Sequence, residues 1–443
     1  MNKKMHKPLR TVPLQIILLL LLIGLVITAC GGSKEPNEVE NNTTNTDTSE
    51  ENTTNTTETT DEEVEEPMAE LPATIKVGVV VPLTGRYAAG GDQVRNGYVL
   101  AMEDINAAGG VTIQGTQIPL ELVILDDESD PTKTVQHMET LYSGEGIVAY
   151  LGGFGSDLHA AAASIAEKNK LPYLGVAFAL NQIHQQGYQY LFSPFPKSPA
   201  LATAYFDVFD SLDPKPQRIA IFAETTDWGA ELGDAWRQEA ETRGYEIVAD
   251  ETYAPGSTDF SDLILRAKDA DAQAVLALPN PPDALAIVKQ MKELDFNPAI
   301  TAIVRGADAV TWPENMGTDG DYVLLSAGGN PEADFPGALD MVARHEERFD
   351  KTAAGTTAPA YSVVQILVDA IERANSLDPT AIRDALTTTD ITTVAGPITF
   401  NPDGTGNVIT VVSQYQDGLQ KLIWPLDIAV APVIYPAPAW SER

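Results

Sequence analysis

From residue 75 onward, short apolar runs alternate with longer segments in which apolar residues recur at helical spacing. The first run, Ile75–Val81, is β-branched and almost continuously apolar, which favours a strand buried on both faces. In the next segment, from Gly91 to Ala108, the apolar spacing is helical, and Gly109-Gly110 ends the predicted helix. Repeated strand–helix units of this kind predict parallel sheets covered by helices.

The alternation forms two consecutive series, which are separated by Pro194-Phe195-Pro196. The further predicted strands are Leu120–Leu125, Ile147–Leu151 and Pro172–Val176 in the first series, and Arg218–Ala223, Glu246–Thr252, Ala274–Leu278, Ile300–Val304 and Tyr322–Ser326 in the second. Near the C-terminus, Gly396–Phe400 and Asn407–Gln416 predict a β-hairpin. The fold class is therefore α/β, with two doubly wound parallel sheets. Ligands bind such sheets at the C-terminal ends of the strands, so two facing sheets predict a ligand cleft.

The first 29 residues have the pattern of a secretory signal peptide. Four basic residues and no acidic one occur in residues 1–10, and an apolar run extends from Ile16 to Ala29. This run is shorter than the ~20 residues that a transmembrane helix needs. It ends in Ile27-Thr28-Ala29-Cys30-Gly31-Gly32, which resembles the bacterial lipobox. We therefore predict cleavage after residue 29 and lipidation of Cys30, palmitate included; an uncleaved anchor helix is the alternative.

The composition of residues 30–70 differs from that of the signal peptide and predicts a flexible tether. Asn, Thr, Ser, Glu and Asp dominate residues 33–70, where 13 acidic residues face one Lys. Such a segment cannot bury enough apolar surface to offset its ordering entropy, so we predict disorder. Its like charges repel one another and extend it. The predicted arrangement is extracytoplasmic: a lipid anchors the protein to the cell membrane, and the tether holds the folded body off the membrane.

Composition excludes several classes of function. The 443 residues carry 28 basic and 63 acidic side chains, a net charge of −35, which opposes binding to nucleic acid phosphates. Cys30 is the single cysteine, so neither an intramolecular disulfide nor a cysteine zinc site is predicted. The five histidines have no metal-site spacing, and no Gly-x-Ser-x-Gly or phosphate-loop motif occurs. The sequence thus predicts no enzyme, no metal and no cofactor.

Five stretches of the body are similar to the leucine/isoleucine/valine-binding family of type I periplasmic binding proteins. In chain order they are Ile75–Gly85, Ala101–Gly110, Asp126–Pro131, Gly187–Tyr190 and Ala395–Phe400. Each is a modest signal alone, but the five follow the family's order over about residues 74–425. The resemblance implies two lobes joined by a hinge of three crossings. Lobe 1 would hold residues 74–194 and 328–393, and lobe 2 residues 195–327 and 394–443.

The resemblance also implies a function. A lipoprotein of this family would capture a small polar solute, an amino acid or an amide-like molecule, in the cleft and deliver it to an ABC permease. The protein would act as a monomer. The alternative is a sensing lipoprotein that presents its ligand to a signalling receptor, because both roles use closure of the two lobes.

Candidate ligand-binding residues in lobe 1 follow from the same resemblance. A family serine that binds the ligand carboxylate matches Ser156 or Asp157, and an ordinary helix cap is the alternative for Ser156. Asp157 would repel a ligand carboxylate unless it points away. Ala177, Phe178 and Ala179 match a segment that contacts the ligand, but the family's threonine hydroxyl is absent at Ala179. Phe178 could equally be a core residue.

Five further candidates complete the predicted site. Tyr87 and Trp228 match aromatic residues that enclose the ligand, and Trp228 is predicted in a strand–helix loop. Tyr361 matches a tyrosine at a helix start. Arg305 lies at or beside a position where amino-acid binders carry a glutamate, and Asn280 is a polar candidate after a strand. Asp157, Ala179 and Arg305 depart from the family's pattern. The solute could therefore be an aliphatic amino acid, a short amide, urea or another polar metabolite.

Overall fold

Two sheets of parallel strands carry the fold, one for each predicted series. The computed structural model describes residues 71–443. The predicted signal peptide (1–29), the lipidation site Cys30 and the tether (30–70) lie outside the described residues.

The strands are β1 (Ile75–Val81), β2 (Val111–Ile113), β3 (Thr116–Ile118), β4 (Leu120–Asp126), β5 (Tyr150–Leu151), β6 (Tyr173–Leu174), β7 (Leu191–Phe192), β8 (Arg218–Glu224), β9 (Glu246–Tyr253), β10 (Ala274–Leu278), β11 (Ile300–Ile303), β12 (Val323–Leu325), β13 (Asp390–Thr393), β14 (Gly396–Phe400), β15 (Gly406–Asn407), β16 (Val412–Gln416) and β17 (Leu419–Trp424).

The helices are α1 (Ala88–Ala107), α2 (Pro131–Gly144), α3 (Ser156–Asn169), α4 (Ser198–Asp210), α5 (Asp227–Arg243), α6 (Ser261–Asp269), α7 (Pro281–Glu293), α8 (Trp312–Met316), α9 (Ala338–Phe349), α10 (Thr357–Ala374) and α11 (Pro379–Thr387).

The first sheet has the order β4-β1-β5-β6-β7, and every neighbouring pair is parallel. The second sheet has the order β17-β16-β12-β11-β10-β8-β9, with a parallel part from β12 to β9 and an antiparallel edge of β16 and β17. Strands β1 and β10 are buried along nearly their whole length, as expected for parallel strands covered by helices on both faces. The predicted α/β fold of two doubly wound sheets is confirmed. We call the half with the first sheet lobe 1 and the half with the second sheet lobe 2.

The chain passes between the lobes at three places: residues 193–197, 326–337 and 408–411. The second and third crossings touch, because the Ser326 hydroxyl donates to the Val411 carbonyl at 2.7 Å. The first and second crossings touch where the Phe195 ring packs on Gly328. The three crossings therefore form one joint.

Gly328 is required at this joint for two separate reasons. Its φ is +76°, and a Cβ at this position would lie 2.2 Å from Cε2 of Phe195. We expect Gly328→Ala to lower the free energy of unfolding by about 3 kcal/mol, from left-handed strain together with overpacking. Gly244→Ala is the matched control, because φ is +74° and nothing lies within 4 Å of the added Cβ. In urea titrations of both variants, Gly244→Ala should lower the free energy of unfolding by only about 1 kcal/mol. Equal losses of stability for the two variants would contradict a packed joint.

The C-terminal hairpin differs from its prediction. Strand β14 pairs with β13 and β15, whereas β16 pairs with β12 and β17 in the second sheet. The predicted hairpin is confirmed next to its turn, where β14 and β15 are antiparallel, but the single predicted strand Asn407–Gln416 was wrong, because the chain changes lobes within it. Ile398 is buried in the core around the first sheet and Tyr415 in the core beneath the second. Periodicity predicts that a segment is a strand, but it does not identify the sheet that the strand joins.

Among residues 71–443, no helix combines the length and the apolar character that a membrane crossing requires.

Candidate functional site

The cleft between the two lobes is lined by residues that follow the C-terminal ends of parallel strands. Tyr87 follows β1, the start of α3 follows β5, and Ala177 follows β6. From lobe 2 come the segment after β8 and Arg305 after β11. This is the edge at which ligands bind to doubly wound sheets.

The N-terminus of α3 faces this cleft. Gly155, with φ +107°, occupies the N-cap position, and Ser156 is the first helical residue. The alternative that Ser156 caps the helix is therefore wrong, because its hydroxyl accepts no backbone N–H of the first turn. Its Oγ atom is buried and has no hydrogen-bond partner within the described residues. The first N–H groups of a helix also lack intrahelical acceptors and favour an anion.

Asp157, in the first turn of α3, forms an ion pair with Arg86. The partner is in lobe 1 as well, so the pair neutralises the carboxylate without closing the cleft. Burial opposes the charge of Arg86, but Tyr87 and Asp157 together raise its pKa above the usual value. The predicted repulsion between Asp157 and a ligand carboxylate is reduced by this pairing.

Helix α5 presents its first turn from lobe 2. Thr226 caps the helix, with Gly229 N–H donating to its Oγ1 at 3.0 Å. Trp228 therefore lies in the first helical turn and not in the predicted loop, because the helix begins directly after the Thr226 cap. The indole is buried, and its Nε1–H has no acceptor among the described residues.

Arg305 and Glu224 form a buried ion pair beside Trp228. Nη2 of Arg305 donates to Oε1 of Glu224 at 2.7 Å, and Nε donates to the Pro279 carbonyl at 2.9 Å. The side chains are 5% and 2% exposed. Burial opposes the arginine's charge, but Glu224 raises its pKa well above the usual range. The other oxygen of Glu224, Oε2, is buried without a partner in the described part of the chain.

Arg305 also lies between two aromatic rings. Its guanidinium carbon is 5.4 Å from the centroid of Tyr87 in lobe 1 and 4.9 Å from that of Trp228 in lobe 2. Burial raises the pKa of Tyr87, so the phenol stays protonated at neutral pH. The cation therefore links the two lobes across the cleft through ring faces.

Two adjoining cavities remain in the cleft. The outer one, of about 60 Å³, is lined by polar groups that include Ser156, Glu224 and Trp228. The inner one, of about 20 Å³, shares Trp228 and Arg305 with it and has mainly apolar walls. Its lining includes the predicted residues Ala177, Phe178 and Ala179, together with Phe195, Leu201 and Val304. Eight of the ten predicted residues thus line one continuous site.

Phe178 also has a packing role. Its ring stacks on His159 at a centroid distance of 4.4 Å and on His184 at 5.7 Å. The ammonium of Lys197 lies 3.5 Å from the same ring centroid. Phe178 is therefore both a wall of the inner cavity and the centre of a buried cluster, which we call the histidine cluster (His159, Phe178, His184 and Lys197).

Asn280 and Tyr361 do not line either cleft cavity. Asn280 caps α7, where its Oδ1 accepts from Asp283 N–H at 3.1 Å. The hydroxyl of Tyr361 donates to Asp104 at 2.6 Å, on the face of α10 that packs against α1. The polar groups of Asn280 and Tyr361, for which contact with the ligand was predicted, thus form hydrogen bonds within the protein instead.

Glu224 was missed by the sequence analysis. The available signal was a charged residue directly after the apolar run Arg218–Ala223, at the edge where ligands bind. The strand was predicted to end one residue earlier, at Ala223, whereas β8 includes Glu224.

No cluster of three or more potential metal ligands occurs in residues 71–443. A cleft between two lobes, lined by residues with buried polar atoms, is typical of small-molecule binding proteins. The chain belongs to the periplasmic binding protein family, whose model matches residues 74–418. The predicted resemblance is confirmed, and members of this family are extracytoplasmic solute-binding proteins, not enzymes.

Individual relatives agree with this assignment. The Leu/Ile/Val-binding protein homolog 8 of Brucella abortus is 25% identical over 382 residues, which cover 81% of this chain and 92% of that protein. The structure of a leucine binding protein LivK from Thermotoga maritima matches with a TM-score of 0.71 and 25% identity, covering 79% and 98% of the two chains. LivJ from Streptococcus pneumoniae, in complex with isoleucine, has the same TM-score at 22% identity and covers 80% and 100%.

Proposed function

We propose that this protein is a solute-binding lipoprotein of an ABC importer and that its solute is a small zwitterionic amino acid. One observation carries the proposal: three buried polar atoms, without partners in the described part of the chain, belong to residues that line the outer cavity. They are Ser156 Oγ, Trp228 Nε1 and Glu224 Oε2. Buried polar groups are normally hydrogen-bonded, and a bound ligand is the simplest partner for all three.

The carboxylate of the ligand would bind in lobe 1. Ser156 Oγ can donate to it, and the first N–H groups of α3 lie at the positive end of the helix dipole. The Nε1–H of Trp228 offers a further donor from lobe 2. Because donors come from both lobes, this end of the ligand would favour the closed form.

The ammonium of the ligand would meet Glu224. Oε1 of Glu224 is held by Arg305 and Thr226, which leaves Oε2 as an acceptor. An amide-like solute is the alternative, since it also combines a donor with an acceptor. A ligand with an anionic group alone would leave Oε2 of Glu224 without a donor.

The inner cavity suggests the side chain of the solute. Its walls include Ala179, Leu201 and Val304, and its small volume favours a short aliphatic group. Ala179 supplies space but no hydroxyl. The names of the Brucella and Thermotoga relatives, which refer to leucine, isoleucine and valine, agree with this choice.

The membrane arrangement is also part of the proposal. Residues 1–29 would be removed, Cys30 would carry the lipid, and residues 31–70 would act as the tether next to the permease. The lobes would follow the predicted boundaries with one change. Since Val394 and Ile398 pack around the first sheet, we assign residues 394–407 to lobe 1.

Thermal unfolding of the mature chain against amino acids, amides, urea, polyols and carboxylates tests this proposal. A solute at 100-fold over its Kd should stabilise the protein by about 2.7 kcal/mol. Ser156→Ala should weaken binding of the hit about 10- to 100-fold, because it removes a hydrogen bond to a charged group.

Ser164→Ala is the matched control, because Ser164 lies on the same helix and donates only to the Ala161 carbonyl at 2.9 Å. It should leave the affinity unchanged. A folded protein that no compound stabilises would contradict the transport proposal and favour a sensor that recognises another partner. Equal affinity of the Ser156→Ala variant would contradict the assigned site.

A further inference from the structure

A second cavity, of about 310 Å³, lies apart from the cleft, between α9 and the hairpin formed by β16 and β17. We call it the α9 cavity. It shares no lining residue with either cleft cavity. Its volume falls within the range of about 300–1,000 Å³ that is usual for small-molecule sites.

Two buried oxygen atoms on residues that line this cavity have no hydrogen-bond donor in the described part of the chain. One is Oε2 of Glu332, whose other oxygen forms an ion pair with Lys421. The other is Oε1 of Gln420. The amide nitrogen of Gln420 donates to the Tyr415 hydroxyl at 2.8 Å, and this bond fixes the direction of the amide. Both atoms are acceptors, so a ligand would have to supply donors.

The charged side chains that line the cavity determine which sign of charge a ligand can carry. Lys421 compensates Glu332, but Glu346 on α9 is a second lining carboxylate, and it has no ion-pair partner among residues 71–443. Within the same residues, no basic side chain lines the cavity. An anion would therefore meet an uncompensated carboxylate at close range, whereas a cation would be attracted.

The remaining walls are mostly apolar. Val310 and Pro313 approach from lobe 2, Val342 and Ala353 approach from the side of lobe 1, and Leu419 forms part of the rim, with 54% of its surface exposed. Such walls fit an alkyl chain better than a hydrated inorganic cation, which would keep its water shell.

We propose that the α9 cavity is a second binding site, for a small aliphatic ammonium ion. The ammonium donates to Glu332 Oε2 and Gln420 Oε1, and the alkyl chain packs on Val342 and Leu419. A second ammonium at the far end of a diamine meets Glu346.

Calorimetric titration of the mature chain with n-butylamine, putrescine, n-butanol and butyrate tests the site. We expect putrescine to bind more tightly than butylamine, and butanol and butyrate to bind at least tenfold more weakly than butylamine. Glu332→Gln should weaken amine binding at least tenfold, which corresponds to about 1.4 kcal/mol. Val342→Trp, at a half-buried position on the surface of α9, should fill the cavity and abolish binding of both amines.

Two controls distinguish binding in the α9 cavity from binding elsewhere on the protein. Glu347→Gln changes the same charge at the next residue of α9, which does not line the cavity, so it should leave amine affinity unchanged. Ser156→Ala, in the cleft, should also leave it unchanged. Loss of amine affinity in the Ser156→Ala variant would show that the amines bind in the cleft and not in the α9 cavity. If Glu332→Gln and Glu347→Gln weakened amine binding equally, the amines would be binding only as counterions of an acidic protein. Binding of butanol equal to that of butylamine, or no binding of any probe, would overturn the proposal.

Discussion

Replacement of Arg305 by Met should lower the free energy of unfolding by about 3–5 kcal/mol, because it leaves a buried carboxylate without its partner. The change removes the donor to Glu224 Oε1 and the donor to the Pro279 carbonyl together. It also removes the cation that lies between Tyr87 and Trp228. Urea denaturation of the mature chain at neutral pH measures the loss directly.

Arg237→Met is the matched control in the same lobe. Arg237 binds Asp250 through two hydrogen bonds of 2.7 and 2.9 Å, but the side chains are 34% and 39% exposed. An exposed pair of this kind contributes about 1 kcal/mol or less. The double variant Glu224→Leu with Arg305→Met removes both charges, and it should recover most of the lost stability. A loss of about 1 kcal/mol or less for Arg305→Met alone would contradict a pair sealed from water.

Acid should destabilise the protein strongly between pH 6.5 and about pH 3, because two buried histidines of the histidine cluster must remain neutral. Burial, reinforced by the positive charge of Lys197, lowers the pKa of His159 and of His184 from 6.5 to about 3. A depressed folded-state pKa contributes stability that is present above pH 6.5 and lost as the pH falls towards 3. Each histidine accounts for up to roughly 4 kcal/mol of this loss.

The variants His159→Asn and His184→Asn test the source of the acid sensitivity. Each ring donates from Nδ1 to a backbone carbonyl, at 2.8 Å to Gly155 and 2.9 Å to Asp403, and the Asn amide keeps a donor near that place. The double variant should show a much flatter dependence of unfolding free energy on pH than the parent. His137→Asn, which removes a histidine outside the cluster, should keep the parent's slope. An unchanged slope in the double variant would assign the acid loss to carboxylates such as Asp126 and Asp403, whose pKa values are lowered by hydrogen bonds.

The fold was predictable because each element has a strong local signal. Strand β1 matches its predicted bounds, and β10 does so as well, since a buried parallel strand is a short continuous apolar run with clear limits. Helix α2 begins at Pro131, where the sequence itself carries the signal, because Pro suits the first turn and Asp130 caps it. The third crossing was not predictable in the same way. Its position depends on which core buries Ile398 and which buries Tyr415, and that is a tertiary property.

The site was predictable in part, for a related reason. Ser156, Trp228 and Arg305 could be proposed as candidates because each follows a predicted strand and lies at or beside a family position. The pairing of Arg305 with Glu224, and of Arg86 with Asp157, joins residues 81 and 71 positions apart. No local pattern encodes such pairs, although they decide the net charge that a ligand meets. The sequence alone therefore overstated the repulsion from Asp157, and it did not show that Glu224 neutralises Arg305.

The joint formed by the three crossings has a practical consequence for measurement. Adjacent crossings allow the lobes to turn mainly about one axis, so the width of the cleft mouth follows a single angle. Because Cys30 is the sole cysteine, residues 71–443 accept engineered thiols without competing labels. A donor dye at Ala160 and an acceptor dye at Asp227, on opposite walls of the outer cavity, would convert closure into a change in fluorescence transfer. The labelled protein would then be a fluorescent biosensor for the concentration of its solute.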